Sequence, residues 1–244
     1  MPIATTDLVF FSVASVPVDD TSTSGGAIDT ASRVALTQFG ANAVLALVSD
    51  GADARNVTII GRLASGVVDT EVVALNATTE VLSTKTWERI HSIVLASSSG
   101  TRTVTAKQGS GGSTVATIVP NETTRHIQFQ RSTSEASQAK RYEAQFGKNI
   151  HGSLSLLNAQ MKLTADPQSK IQIGVAAAVN GSTSVTNRKT SPGVTLVDDN
   201  IAQNVPGTNL AAGDAIKVWI EQTLGANDAA QKSTFTLELS GSTT

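Results

Sequence analysis

Val57–Leu95, VTIIGRLASGVVDTEVVALNATTEVLSTKTWERIHSIVL, is the stretch that decides the fold class. Val57-Thr58-Ile59-Ile60 runs into Gly61, and Ser65-Gly66 turns the chain. Glu71–Leu75 follows and breaks at Asn76. A threonine-rich link (Thr78, Thr79, Thr84, Thr86) then leads to Trp87–Leu95. Valine, isoleucine and threonine are stiff at χ1 and fit a pleated surface better than a helix. Short runs of this kind, each closed by a turn, are the pattern of an antiparallel sandwich or barrel. The stretch is expected to form a β-meander.

The pattern continues on both sides. Leu8–Val13 reads as a first strand, followed by a long polar loop, Val16–Asp29, with an exposed tip at Thr21–Gly26. Arg33–Phe39 and Ala43–Val48 read as strands split by Gly40-Ala41-Asn42. Thr101–Lys107 and Thr114–Val119 flank a hairpin tip at Gly109–Ser113, and Arg125–Arg131 follows, with Ile127 and Phe129 on one face. Ser132–Lys140 is polar with alanines and breaks the β pattern. It reads as a linker, with a helical turn or two as the alternative. Arg141–Ile150 opens a second series. In Ser153–Leu163 the apolar phase slips by one near Leu157-Asn158, which points to a bulge. Ile171, Ile173, Val175 and Ala177 alternate cleanly, as do Ile216, Val218 and Ile220. Val194–Val197 is a short strand between the loops Asn180–Gly193 and Asp199–Gly213, and Phe235, Leu237 and Leu239 close the series. Similar closing strands in the two halves hint at an internal duplication. The expected fold is all-β: two tandem antiparallel β-sandwich domains, jelly-roll or Ig-like, with little helix. The expected division is 1–131 for the N-terminal sandwich, 132–140 for the linker and 141–244 for the C-terminal sandwich.

Composition narrows the function. The 244 residues include no cysteine, so no disulfide, thiolate zinc site or thiol nucleophile is available. A formal charge of -2 with 16% charged residues offers no basic stripe, so nucleic acid is not an expected partner. Leu8–Val13 is too short for a signal peptide and lacks a basic flank, and no window approaches a membrane span. Aromatic residues make up 4% of the chain, a poor stock for a sugar platform or an enzyme cleft.

No constellation of catalytic residues appears. His91, His126 and His151 lie in separate segments without metal-ligand spacing. Asp19-Asp20 and Asp198-Asp199 are paired loop carboxylates without the alternating spacing of a calcium loop. There is no Gly-x-Ser-x-Gly elbow, and Gly109–Ser113 lacks the lysine and helix of a phosphate loop. Asn56, Asn76, Asn121 and Asn180 open glycosylation-type triplets that a Thr/Ser-rich chain produces by chance. No catalytic residue, cofactor or metal ligand is therefore expected, and the protein is not expected to be an enzyme. Trp219 shares strand parity with Lys217 and Glu221, opposite Ile216, Val218 and Ile220, and so points away from the core. An outward tryptophan marks an interface, unless a loop of its own domain covers it. Trp219, Lys217, Glu221, Asp19, Asp20, Asp198 and Asp199 are the interface candidates. Trp87 shares parity with both polar and apolar neighbours, which leaves its face undecided.

The segment NATTEVLSTKTWERIHSIVLAS (76–97) resembles β-sandwich repeats in structural proteins of tailed-bacteriophage virions, with an Asn-Thr turn, a Thr/Ser link and then an aromatic residue. RYEAQFGKNIHGSLSLLNAQMKLTADPQSKIQIGV (141–175), TSPGVTLVDDN (190–200), NLAAGDAIKVWIEQTL (209–224) and STFTLELSG (233–241) are similar to the C-terminal part of such proteins. DDTSTSGGAID (19–29) adds to the likeness, which spans most of the chain. The resemblance implies a non-enzymatic virion component made in the host bacterial cytoplasm. Its implied role is head decoration or cement, binding the major capsid protein across subunits as a homo-oligomer, with neither nucleic acid nor membrane as partner. The residues 16–29, 180–193 and 199–213 are the expected contact elements. A neck, tail or fibre-base protein is the alternative station. A carbohydrate-binding adhesin module and a depolymerase are alternatives of other classes.

Overall fold

The computed structural model describes residues 2–98, 100–130, 136–228 and 234–243. The chain is all-β; among the described residues, regular helix is limited to a 3-10 turn at Thr5–Asp7. Two compact units form. One combines Met1–Asp29 with Phe129–Thr244, and the other is Thr30–Gln128. The N-terminal strand thus belongs with the C-terminal half, where the sequence pattern had grouped it with residues up to 131. Of the expected linker 132–140, residues 132–135 lie outside the described residues, as does Arg131 at the end of the expected strand before it, and a strand already begins at Ala139.

Strands β1 (Leu8–Ser15) and β2 (Ser24–Asp29) start the first unit. Residues 16–29 are therefore not one long loop: β2 occupies the second half, and Ser24 and Gly25 are buried. The chain then builds the inserted unit from β3 (Ser32–Arg33), β4 (Leu45–Ser49), β5 (Asn56–Leu63), β6 (Val68–Ala74), β7 (Val81–Leu82), β8 (Trp87–Leu95), β9 (Val104–Gln108), β10 (Thr114–Ile118) and β11 (Thr124–His126). Five strands pair in the order β3-β11-β8-β5-β6 and four in the order β10-β9-β4-β7. Leu45, Leu47, Val57, Ile59, Ile90, Ile93, Val104 and Ile118 meet in one apolar core. Trp87 joins it fully buried and donates its indole N–H to Ser83 Oγ at 3.2 Å, which settles its face. The β5–β6 hairpin turns at Ser65-Gly66 as expected, with Gly66 at φ +87°. The rest is not a simple meander. β8 returns to the far side of β5, and β7 crosses to pair with β4. β3 and β11 run parallel, and Glu122 ties them by pairing with both Arg33 and Arg125. Of the expected strand 33–39 only Arg33 is in a strand; Gln38 instead uses its side chain. Its Nε2 donates to Ile90 O at 2.8 Å and its Oε1 accepts from Ile90 N at 3.0 Å.

That amide bridge sits where the β5–β8 register slips, between Ile60 and Gly61. A Cβ on Gly61 would lie 2.5 Å from the carbonyl oxygen of Arg89 and 2.9 Å from the Trp87 ring. The first obstacle is backbone and cannot rotate away. Gly61→Ala is expected to destabilise the inserted unit by about 1–3 kcal/mol, the usual range for overpacking. A urea titration followed by fluorescence would measure it; an unchanged midpoint would mean that the bulge relaxes freely.

The first unit resumes with β12 (Ala139–Asn149), β13 (Leu157–Ala165), β14 (Ile171–Val179), β15 (Ser184–Val185), β16 (Ala202–Asn204), β17 (Ala215–Leu224) and β18 (Thr236–Ser242). Six strands pair as β14-β17-β12-β1-β2-β15 and three as β16-β13-β18. The expected bulge is present: the β13–β18 register shifts between Leu157 and Gln160, with Asn158 at φ +50°. Ile171, Ile173, Ile216, Val218 and Ile220 pack against Ala159, Met161, Leu163 and Leu239 in one core. The expected strand at 194–197 forms only a bridge between Val197 and Ile173. The expected strand at 125–131 ends at His126, and Phe129 turns into this core at φ +52°. The loops 180–193 and 199–213 contain the short strands β15 and β16.

Candidate functional site

The six-stranded sheet of the first unit has a second face, and that face is also covered. Tyr142, Ala144 and Phe146 of β12 lie beside Ala215 and Trp219 of β17. Val13 and Ala176 join them, and Val16, Ile28, Val185, Val194 and Leu196 pack on top. β12 and β17 are consequently buried on both sides, as strands enclosed between two layers must be.

This covering layer changes the reading of the interface candidates. Parity places Trp219, Lys217 and Glu221 on one face, but none of them reaches solvent. Trp219 is 2% exposed, Lys217 0% and Glu221 1%. The cover comes from the chain itself. Gly25, at φ +99°, is pressed so close that a Cβ there would lie 2.6 Å from Trp219 Cη2. Lys217 Nζ donates to the carbonyl oxygen of Thr183 at 2.6 Å. It stands 5.2 Å from the Phe146 ring centroid and 5.7 Å from that of Trp219. Ring faces attract the cation, but burial still pushes its pKa down to about 8. Glu221 accepts from Lys140 Nζ at 2.8 Å and from Thr223 Oγ1 at 3.2 Å. Burial, with Glu221 nearby, pushes the Tyr142 hydroxyl up to about 12.

The four aspartates part ways. Asp198 accepts from Gln172 and Asp199 from Asn200, both at the exposed surface. Asp19 organises a turn: its Oδ1 accepts the hydroxyls of Thr21 and Ser22 at 2.8 Å and their backbone N–H groups at 2.9 Å. Those bonds, led by the Ser22 hydroxyl, bring its pKa down to about 2. Asp20, the next residue, turns inward and becomes the centre of a charge cluster.

That cluster is built at a gap in the sheet. β1 follows β12 from Asn149 to Phe146 and then turns to β2. The edge of β12 that it leaves is met by residue 188: Tyr142 N donates to Arg188 O at 2.6 Å. This fixes the Arg188 side chain, 1% exposed, beside Arg141, which is 0% exposed. Asp20 accepts from Arg141 Nε at 2.7 Å and Nη2 at 3.0 Å and from Arg188 Nε at 2.7 Å, and Arg188 Nη2 lies 2.7 Å from it in an ion pair. Lys189 Nζ approaches at 2.9 Å. The Arg141 fork, with Lys189 and Arg188, holds the Asp20 carboxyl well below the ordinary carboxylate range. Arg188 Nη1 also donates to Gln130 O at 2.8 Å and lies 3.6 Å from Glu143 Oε1. Glu143 accepts from Phe129 N at 2.8 Å and is otherwise enclosed. Burial pushes it up to about 7 against the pull of that N–H and of Arg188.

The structure thus brings Asp20 together with Arg141, Arg188, Lys189 and Glu143, partners that the sequence pattern did not single out. It leaves Asp19, Asp198 and Asp199 at separate surface positions. His151 is a turn element whose Nδ1 accepts from Ser153 N and Leu154 N. Among the described residues, no group of three His, Asp or Glu is placed to hold a metal. A recess of about 460 Å³ opens between β14 and β16, but both ends of its Gln203 carboxamide are already bonded, to Val175 N and Thr195 O. Among the described residues, no helix is long and apolar enough to cross a membrane. No family model, curated protein or solved structure matches the chain.

Proposed function

We propose that the chain is a non-enzymatic structural protein of a tailed-phage virion. Its place in this reading is the outside of the head, in many copies across neighbouring major capsid protein subunits. The sequence resemblance supplies the setting, and one surface observation supplies the means of attachment. In the inserted unit Val67, Val72 and Leu82 are 60%, 58% and 47% exposed, with Val68 between them also exposed. They lie on β6, its turn and β7, which are held side by side by Glu71 accepting from Thr84 N and Lys85 N. Val68 and Val72 share the outward face of β6 with Thr70 and Ala74, all exposed, and an uncovered strand face carrying apolar side chains favours contact with another protein. The same region is guarded against uncontrolled strand addition. Lys85 Nζ binds Thr70 O at 2.8 Å, and Asp69 Oδ1 takes Thr70 N at 2.7 Å, closing the middle of the β6 edge. Such a surface docks by its side chains, and repetition over a capsid supplies avidity.

The test is retention on heads. Heads of the phage encoding the chain, prepared without it, are expected to bind the purified protein saturably on co-sedimentation. Val68→Asp with Val72→Asp should cut retention about tenfold or more while leaving the melting temperature nearly unchanged, since exposed substitutions cost little stability. Gold label on the tail or neck would move the protein to that station. Absence from particles altogether would end the virion reading.

A further inference from the structure

We propose that Arg141, Arg188 and Lys189 form an oxyanion-binding site that the chain's own Asp20 occupies in cis, and that a phosphate-class dianion fits it better than a carboxylate does. The donor arrangement is the first reason. Three hydrogen bonds of 2.7–3.0 Å and two further ion-pair contacts of 2.7 and 2.9 Å converge on the two oxygens of Asp20. A carboxylate offers about four lone-pair positions, fewer than the five cationic nitrogens gathered around Asp20. A tetrahedral oxyanion presents three oxygens to the same donors, and forked guanidinium groups match phosphate as well as carboxylate.

The second reason is that two of the three cations sit on backbone held in place without Asp20. Arg141 is fixed by its place in β12. Arg188 is fixed by Tyr142 N on its own carbonyl and by Gln130 O on its Nη1. Asp20, in contrast, arrives on the eight-residue connection between β1 and β2, in a turn that Asp19 closes by itself. The mouth is open to solvent: the Asp20 side chain is 25% exposed and that of Lys189 is 44%. The charged groups facing the site are Glu143 from β12, behind Arg188, and Asp19 on the turn outside. The connection therefore behaves as a plug whose carboxylate holds a place that an external anion can take.

Inorganic phosphate is the probe, titrated calorimetrically at constant ionic strength into the full chain and into Asp20→Ala. The wild type must give up an intramolecular carboxylate, so its binding should be about tenfold or more weaker than that of Asp20→Ala. Phosphate should also raise the melting temperature of Asp20→Ala saturably, and adding Lys189→Ala should weaken the effect. If Asp20→Ala folds only in phosphate, that dependence is itself the expected result; the isosteric Asp20→Asn serves if Asp20→Ala fails in every buffer. Equal gains for wild type and variant would mean general salt stabilisation and overturn the site. Acetate rescuing as well as phosphate would overturn the preference for a dianion. Neither variant responding would overturn the proposal as a whole.

Discussion

Trp219→Ala is expected to lower the stability of the first unit by about 3–5 kcal/mol, the cost of removing a buried aromatic side chain and leaving a cavity. The expectation follows from enclosure. The ring is 2% exposed, packs with Tyr142, Ala144 and Phe146, and lies against the Gly25 backbone. Collapse around the vacancy is opposed because β17 is paired on both edges, with β12 and β14. The loss also removes one of the two rings that face the Lys217 ammonium, leaving a buried cation with less compensation. Calorimetric unfolding is the direct measurement, with Trp87 remaining as a fluorescent probe in the inserted unit. A variant of native stability that had only lost affinity for a partner would restore Trp219 as an exposed contact residue.

The misplaced tryptophan shows what strand parity reports. In β17 the alternation of Ile216, Val218 and Ile220 with Lys217, Trp219 and Glu221 correctly separates two faces. It says nothing about whether a further layer covers the second face. Here the cover comes from Val185, alone in a polar loop, and from Val194 and Leu196 in a four-residue apolar piece whose partner face its own pattern does not name. Local signals were legible elsewhere: the phase slip at Leu157-Asn158 became a bulge, and Ser65-Gly66 became the β5–β6 turn. Non-local pairing was not. Nothing in Leu8 announces Asn149 as its partner, and Asp20 meets Arg141 across 121 positions. Residues 21–26 looked like a loop because of their Ser, Thr and Gly content. Gly25 is in fact needed at positive φ beneath an indole ring. The one legible hint of the cluster was Arg141 and Glu143 sharing parity within a strand, a polar face that solvent exposure would equally explain.

Arg188→Ala is expected to cost about 3–5 kcal/mol, because it strips a cation from two carboxylates, one of them fully enclosed. The loss should depend on pH, and Glu143 sets the sign. Its pKa is raised from 4.5 to about 7 by burial. The folded state therefore holds this proton more tightly than the unfolded chain does. For this group, stability is greatest below pH 4.5, falls as pH rises towards 7 and is level above that. Asp20 works the other way: its lowered pKa contributes stability above about pH 4 that is lost on further acidification. Between pH 5 and 7.5 the Glu143 slope should dominate, and its full span is on the order of 3 kcal/mol. Glu143→Gln keeps an acceptor for Phe129 N and cannot ionise. It should match the wild type near pH 5 and exceed its stability at pH 7.5. Removing Arg188 takes away an attraction that favours the ionised form, so the Arg188→Ala deficit should widen from pH 5 to pH 7.5. Adding Glu143→Gln to that variant should then recover part of the loss, a coupling that denaturant titrations of the four proteins measure as a cycle. A Glu143→Gln protein with the same pH slope as the wild type would show that the buried carboxylate is not the group that titrates.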